Sequence, residues 1–149
     1  MRIIETTTAD KIASIAGLTE AHWQEIARNK HLMVLKPDVA RYNSLEAAGN
    51  LLSLYAYNDA DEIIGYSVNI LSNHLHYADL RVCANDVLYI APEYRRSRLG
   101  LQLIDRTEEA AKAHGVHMMS WHAKEGTALA GILPRKGCQL QELIFTKEL

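Results

Sequence analysis

The sequence predicts an α/β fold built on one mixed β-sheet. Two observations carry that prediction. Apolar residues switch repeatedly between a spacing of two and a spacing of three to four, so strands and helices alternate along the chain. Turn-forming residues such as Asn58-Asp59-Ala60-Asp61, Pro92 and Gly115 fall between those periodic runs.

Residues Arg2 to Thr6 alternate as a short first strand. Thr8 or Asp10 then caps a helix in "DKIASIAGLTEAHWQEIARN". Ile12, Ile15, Ala16, Trp23, Ile26 and Ala27 keep helical spacing there, with a break near Gly17. A second helix starts at Pro37, a residue suited to a first turn, and ends near Gly49. "LLSLYAYNDADEIIGYSVNIL" reads as a β-hairpin around its polar turn. After a polar connection containing "SNHLHY", residues Ala84 to Ala91 form the next strand. The helix from Leu99 to His114 gathers Leu99, Leu103, Ile104, Ala110 and Ala111 near one face, and Gly115 stops it. "VHMMSWHA", residues 116–123, is a strand, "GTALAGIL" a short helix and "QLQELIFTKEL" a terminal strand. The resulting order is β-α-α-β-β-β-α-β-α-β.

The 149 residues, 48% of them hydrophobic, suit one domain over 1–149 with a substantial core. Sixteen Lys and Arg against 18 Asp and Glu leave a formal charge of −2, which argues against an extended basic surface for nucleic acid. No apolar run is long enough to span a bilayer, and "MRIIETTTADK" lacks the shape of a signal peptide. Cys83 and Cys138 form neither a disulfide framework nor a zinc spacing. A reduced, cytoplasmic setting is the expectation, and any anion recognition must be local.

Such a local feature exists. "LYIAPEYRRSRLGLQLI" places Arg95, Arg96 and Arg98 between a strand end and a helix start. The positive end of a helix dipole disfavours cations, so an anion is the natural third party. Free amides at that point cradle phosphates, small residues such as Ser97 and Gly100 permit close approach, and arginine adds bidentate contacts. A solvated basic turn explains the same spacing equally well.

The stretch resembles the acyl-CoA signature of the GNAT superfamily of N-acyltransferases, V-x-P-x-x-[QR]-x-x-G-x-[GA]. Ile90, Pro92, Arg95 and Gly100 occupy its Val, Pro, Gln/Arg and final Gly positions. "IIGYSVNI" resembles the family's glycine-containing third strand, and "KGCQLQELIFTKEL" its usual ending. The chain also resembles small stand-alone members of phage type, in which "HY", "DVLY", "PEYR" and "H-x-K" recur.

That resemblance implies a GNAT fold with a splay between the parallel strands 84–91 and 116–123. It implies acetyl-CoA as cofactor, with Leu88, Tyr89 and Ile90 along the pantetheine arm. Arg95, Arg96, Ser97, Arg98, Leu99, Gly100 and Leu101 would surround the pyrophosphate. The implied reaction is direct attack of an amine on the thioester, on a protein lysine, an N-terminus or a small amine.

Asp86 is the leading general base, four residues before Ile90 and expected on the same strand face. Its alternative role is a salt bridge or cap at the strand start. His122 ends the strand across the splay, and a neutral imidazole suits amine deprotonation; a surface histidine is the alternative. His76 or Tyr77 lines the acceptor groove or packs on the first helices. The His74-x-His76 spacing suits a metal, but no third ligand is evident, so no metal is expected. His22 and Trp23 fall in the helical region that usually shapes the acceptor site, with core packing a sufficient role for Trp23.

The chain departs from the family at Arg98, where the signature has its first glycine, and at Ala128, where an Asn is frequent. Leu133 takes the place of the tyrosine that protonates the leaving thiolate, and Cys138 that of an aromatic. Pro134 ends or kinks its helix. These departures motivate a second reading, a CoA-binding protein that acts on a host protein or enzyme, and a weaker third, a regulator of a thioester enzyme. An unfinished edge at the C-terminus implies a homodimer.

Overall fold

The computed structural model describes all 149 residues. The strands are β1 (Arg2–Glu5), β2 (Leu51–Tyr57), β3 (Ile63–His74), β4 (Tyr77–Ile90) and β5 (Met118–Ser120). The helices are α1 (Ala16–Ile26), α2 (Val39–Ala47), α3 (Leu99–Ala113) and α4 (Ala128–Ile132). The sheet order is β1-β2-β3-β4-β5, antiparallel except for the parallel pair β4 and β5. The α/β class and mixed sheet read from the sequence are the ones observed.

Side-chain alternation along the strands divides the core in two. Leu52, Leu54, Ala56, Leu71, Cys83 and Ile90 meet Leu99, Leu103 and Ala111 of α3 on one face. Tyr55, Tyr66, Val68 and Tyr89 face the other way, toward Ile15, Leu18 and Tyr42 from the α1 and α2 side. Each fully buried Leu contributes on the order of 1.5–3 kcal/mol, so these two clusters clamp the sheet from both sides. Gly65 lies opposite Ile90 and lets the two strands approach closely. A Cβ there would stand 2.9 Å from the Tyr89 carbonyl oxygen and 3.1 Å from Ile90 Cγ1.

Several boundaries differ from the sequence reading. The first helical segment is a 3-10 turn at Ala9–Lys11 followed by α1, with Gly17 in the first turn of α1. Thr8 makes no capping bond; its hydroxyl donates to Ser53 Oγ at 2.6 Å, while Tyr55 OH donates to Thr8 at 2.9 Å. Asp38, not Pro37, starts α2, accepting the Arg41 amide at 3.0 Å. "SNHLHY" is no loose connection: β3 runs to His74, Leu75 and His76 turn, and β4 begins at Tyr77. Polar, exposed residues on that arm hid its strand character, because neither face is buried.

Strand β5 is shorter than 116–123. The terminal strand expected in "QLQELIFTKEL" is absent: residues 138–149 hold no secondary structure. Strand propensity there has no neighbouring ladder to pair with, and Leu140, Leu143, Ile144 and Phe145 stand exposed. Glu148 alone ties the segment back by a side-chain bond, accepting from His31 Nε2 at 3.1 Å. No helix is long and apolar enough to cross a membrane.

Gly65→Ala should lower stability by about 1–3 kcal/mol, because the added methyl meets backbone that cannot step aside. Urea unfolding should show a reduced midpoint at an unchanged slope.

Candidate functional site

The parallel ladder between β4 and β5 holds only the pairs Val82–Met118, Cys83–Met119 and Ala84–Ser120. Beyond Ala84 the strands part, and β4 continues to Ile90 with a ladder on its β3 side alone. The expected splay is there, opening at Ala84, but its second wall is loop: Trp121, His122 and Ala123 lie outside β5.

At the open end, β4 turns through Pro92–Tyr94 into α3. The Arg95 amide is committed to the Pro92 carbonyl at 3.3 Å, and Ser97 N–H to Tyr94 at 3.2 Å. Ser97 Oγ accepts the Leu99 amide at 3.2 Å. The amides of Arg96, Arg98, Gly100 and Leu101 have no acceptor within the protein. They form the positive end of a fifteen-residue helix, an anion-binding arrangement. A Cβ on Gly100 would make only ordinary contact with Ile90 Cδ1 at 3.5 Å, so protein packing does not demand glycine there. Arg98 sits at φ −78°, where any L-residue is comfortable, which explains why the signature's first glycine is dispensable for backbone shape.

The three arginines divide their work. Arg96 and Arg98 are exposed and make no ion pair. Arg95 turns away from the amides: Nε donates to the Ile90 carbonyl at 2.8 Å, and its two terminal nitrogens clasp Glu25 at 2.9 and 2.6 Å. Its guanidinium carbon also lies 5.1 Å from the centre of the Tyr89 ring. The expectation of Arg95 as a phosphate clamp is therefore corrected. Its side chain bolts α1 to the loop, and Glu25 holds its charge more firmly.

One turn before Glu25, His22 is buried at 7% exposure. Its ring stacks on Tyr89 at 4.4 Å, and Nδ1 shares a 2.7 Å hydrogen bond with Tyr66 OH. Burial pushes the His22 pKa down to about 4 against the opposing pull of Glu25, with Lys124 and Arg95 adding to the depression. Burial likewise raises the Tyr66 hydroxyl. His22 is thus the core residue, and Trp23 is the partly exposed one, donating Nε1 to Met33 O at 2.5 Å. Lys124 closes the same corner by donating to the Ile26 carbonyl.

Asp86 is exposed, and it is the extra residue where β4 slips against β3 between the pairs Val68–Val87 and Asn69–Asn85. That bulge breaks the alternation that would put it on the face of Ile90. Its charge instead reaches Tyr42 of α2, adding to the burial that raises the Tyr42 hydroxyl. Asp86 thus faces the α1 and α2 side. His122 is exposed in the loop after β5. His76 lies at the arm's tip, its amide donating to His74 Nδ1 at 3.2 Å. Arg81, five residues from Asp86, is already roughly 16 Å away along the strand, and His76 lies farther out. The structure does not gather His76, or the exposed Tyr77, with Asp86.

Leu133 is buried, and α4 gives way to a 3-10 turn at Leu133–Lys136 that contains Pro134. Gly137 at φ 84° ends it, so Pro134 terminates this helix as its chemistry requires. Glu25, Tyr66, Asn69 and Asn85 escaped sequence reading. Only the three-residue spacing of His22 and Glu25 hinted that both lie on one side of α1.

The His22 pKa sets an acid sensitivity. An unfolded histidine near 6.5 binds a proton that the folded one refuses until about pH 4, so stability is full above pH 6.5 and falls through this window. The loss should reach about 3 kcal/mol by pH 4, and His22→Phe should flatten that limb in unfolding titrations.

Comparison with known proteins bears on these features together. Residues 18–130 match the family model of the Acetyltransferase (GNAT) family. No curated protein sequence matches the chain. Among solved structures, the fold is similar to an aminoglycoside acetyltransferase, meta-AAC0020, from an uncultured soil metagenomic sample in complex with sisomicin. That likeness has a TM-score of 0.75 at 16% identity, over 99% of this chain and 95% of that one. The ribosomal-protein-alanine N-acetyltransferase from Brucella melitensis biovar Abortus 2308 gives 0.71 at 15% identity, over 100% and 99%. A putative acetyl transferase from Pyrococcus furiosus gives 0.74 at 15%, over 99% and 100%. With the family match extending from α1 into α4, across the splay and the amide-lined loop, the chain belongs to the GNAT family of acetyltransferases.

Proposed function

We propose that this protein transfers an acetyl group from acetyl-CoA to a primary amine by direct attack. The observation that carries the reading is the set of four unpaired amides, at Arg96, Arg98, Gly100 and Leu101, beside the unzipped edge of β4. They fit a pyrophosphate, and the free guanidinium groups of Arg96 and Arg98 supply the matching charge. Backbone groups from Leu88 to Ile90 on the open edge suit an amide-bearing arm such as pantetheine. Acetyl-CoA would supply the acyl group as an activated thioester.

The chain's own residues then handle the proton. Asp86, on the opposite side of the bulge from the α3 core, accepts it from the incoming amine directly or through water. His122, across the splay, is the second acceptor. Leu133 offers no hydroxyl to the departing thiolate, so water protonates it. The names of two structural relatives, an aminoglycoside and a ribosomal-protein-alanine acetyltransferase, span small-molecule and protein acceptors. A protein lysine, an N-terminus or a small amine all fit the reading.

Leu133 and the exposed apolar residues of 138–149 favour a second reading, a CoA-binding protein that acts by docking on a partner.

Thiol release from acetyl-CoA over an amine and peptide panel separates the two. Under the enzyme reading Asp86→Asn should cut turnover by about 10²–10⁴-fold while CoA affinity stays within threefold. Arg96→Glu with Arg98→Glu should weaken CoA about 10–100-fold in calorimetry. Tight CoA binding without thiol release from any amine would overturn the enzyme reading in favour of the second.

A further inference from the structure

The face of the sheet beneath α3 is apolar except for one row. Ser67, Asn69 and Asn85 cross from β3 to β4 with exposures of 0, 0 and 1%. Asn69 Nδ2 donates to the Leu52 carbonyl and to Ser67 Oγ, each at 3.0 Å. Asn85 Nδ2 donates to Asn69 Oδ1 at 2.8 Å and to the Val87 carbonyl at 3.1 Å. Asn85 Oδ1 has no protein partner.

Burying three polar side chains in an apolar layer, one with an unpaired carbonyl, costs stability that hydrophobic residues of similar size would not. A specific geometric return is therefore expected, and the bond from Asn85 to Val87 supplies it. It reaches from residue i to residue i+2 across Asp86, the extra residue of the bulge. Asn69 meanwhile fixes the amide orientation from the opposing strand, at the pair Asn69–Asn85 where the register slips.

We infer that Asn85 is a positioning residue, whose amide, oriented by Asn69 and Ser67, locks the β4 bulge and so aims the Asp86 carboxylate at the amine. The inference rests on Asp86 being the base. Without the bond from Asn85 to Val87 the extra residue loses the side-chain tether that spans it, which leaves the Asp86 carboxylate mobile at the bulge. The lock reaches no ligand itself; it acts through the residue it straddles.

The test uses the full chain with Asn85→Leu, Asp86→Asn and the double variant. Asn85→Leu should lower kcat about 10–100-fold with the KM for acetyl-CoA within threefold. In the Asp86→Asn background the same change should cost nothing further, since the two act as one unit. Asn69→Leu with Asn85→Leu and Ser67→Ala removes the whole buried polar row, leaves no orphaned side-chain partner, and should reproduce the phenotype if the single variant folds poorly. Loss of kcat that adds in full to that of Asp86→Asn overturns the inference. Amide hydrogen exchange reads the bulge independently of turnover. Asp86 and Val87 should exchange at least about tenfold faster in Asn85→Leu while Leu54 and Leu103 keep their protection, and equal rates sink the lock. Wild-type protein that turns over no amine would refute the enzyme reading, while the exchange data would still decide the lock.

Discussion

Everything at this site follows from an imbalance in how β4 is hydrogen-bonded. On one edge it pairs with β3 along most of its fourteen residues; on the other it holds β5 for three pairs and then stands alone. A strand edge left open in a protein interior demands partners, since backbone amides and carbonyls are costly to bury unpaired. The parting is maintained from outside the ladder. Arg95 draws the loop after β4 toward α1, and Lys124 draws the loop after β5 toward the same helix end. Helix α1 is therefore the brace that keeps the two walls apart and at a set distance.

The fold was largely legible because its signals are local. Short apolar runs at residues 51–57 and 63–71 around a polar turn, helical spacing in 99–113, and the glycine at 115 each specify an element without help from distant residues. The arm at residues 72–81 and the tail at 138–149 were misjudged for opposite reasons. The arm is a strand without a buried face, so no alternation betrays it. The tail has the composition of a strand but no ladder to join, so composition misleads.

The site was legible where it is made of backbone and opaque where it is made of tertiary pairing. A proline, a small residue and a glycine at fixed spacing announce an amide-lined turn, because they act on φ, ψ and steric access at their own positions. The commitment of Arg95 to Glu25, seventy residues away, has no such trace. Nor does the bulge at Asp86, since a one-residue slip depends on what β3 presents opposite. Strand periodicity assigned Asp86 to the wrong face for that reason. Arg98 in place of glycine looked like damage to the motif, yet its ordinary backbone angle shows that the turn never needed the freedom glycine provides.

The arm joining β3 to β4 has a bearing on how the chain reaches this structure. Its strands are linked by a turn of two residues, so the pairing that creates the bulge closes a short loop and carries a small entropic cost. The parallel pairing of β4 with β5 must wait for the whole crossover through α3, and β1 must find β2 across some fifty residues. Local contacts of this kind form early, and the long-range ladders follow. The geometry that sets Asp86 is thus inherited from the simplest hairpin in the molecule, while the cleft it serves takes shape only when the last strand arrives.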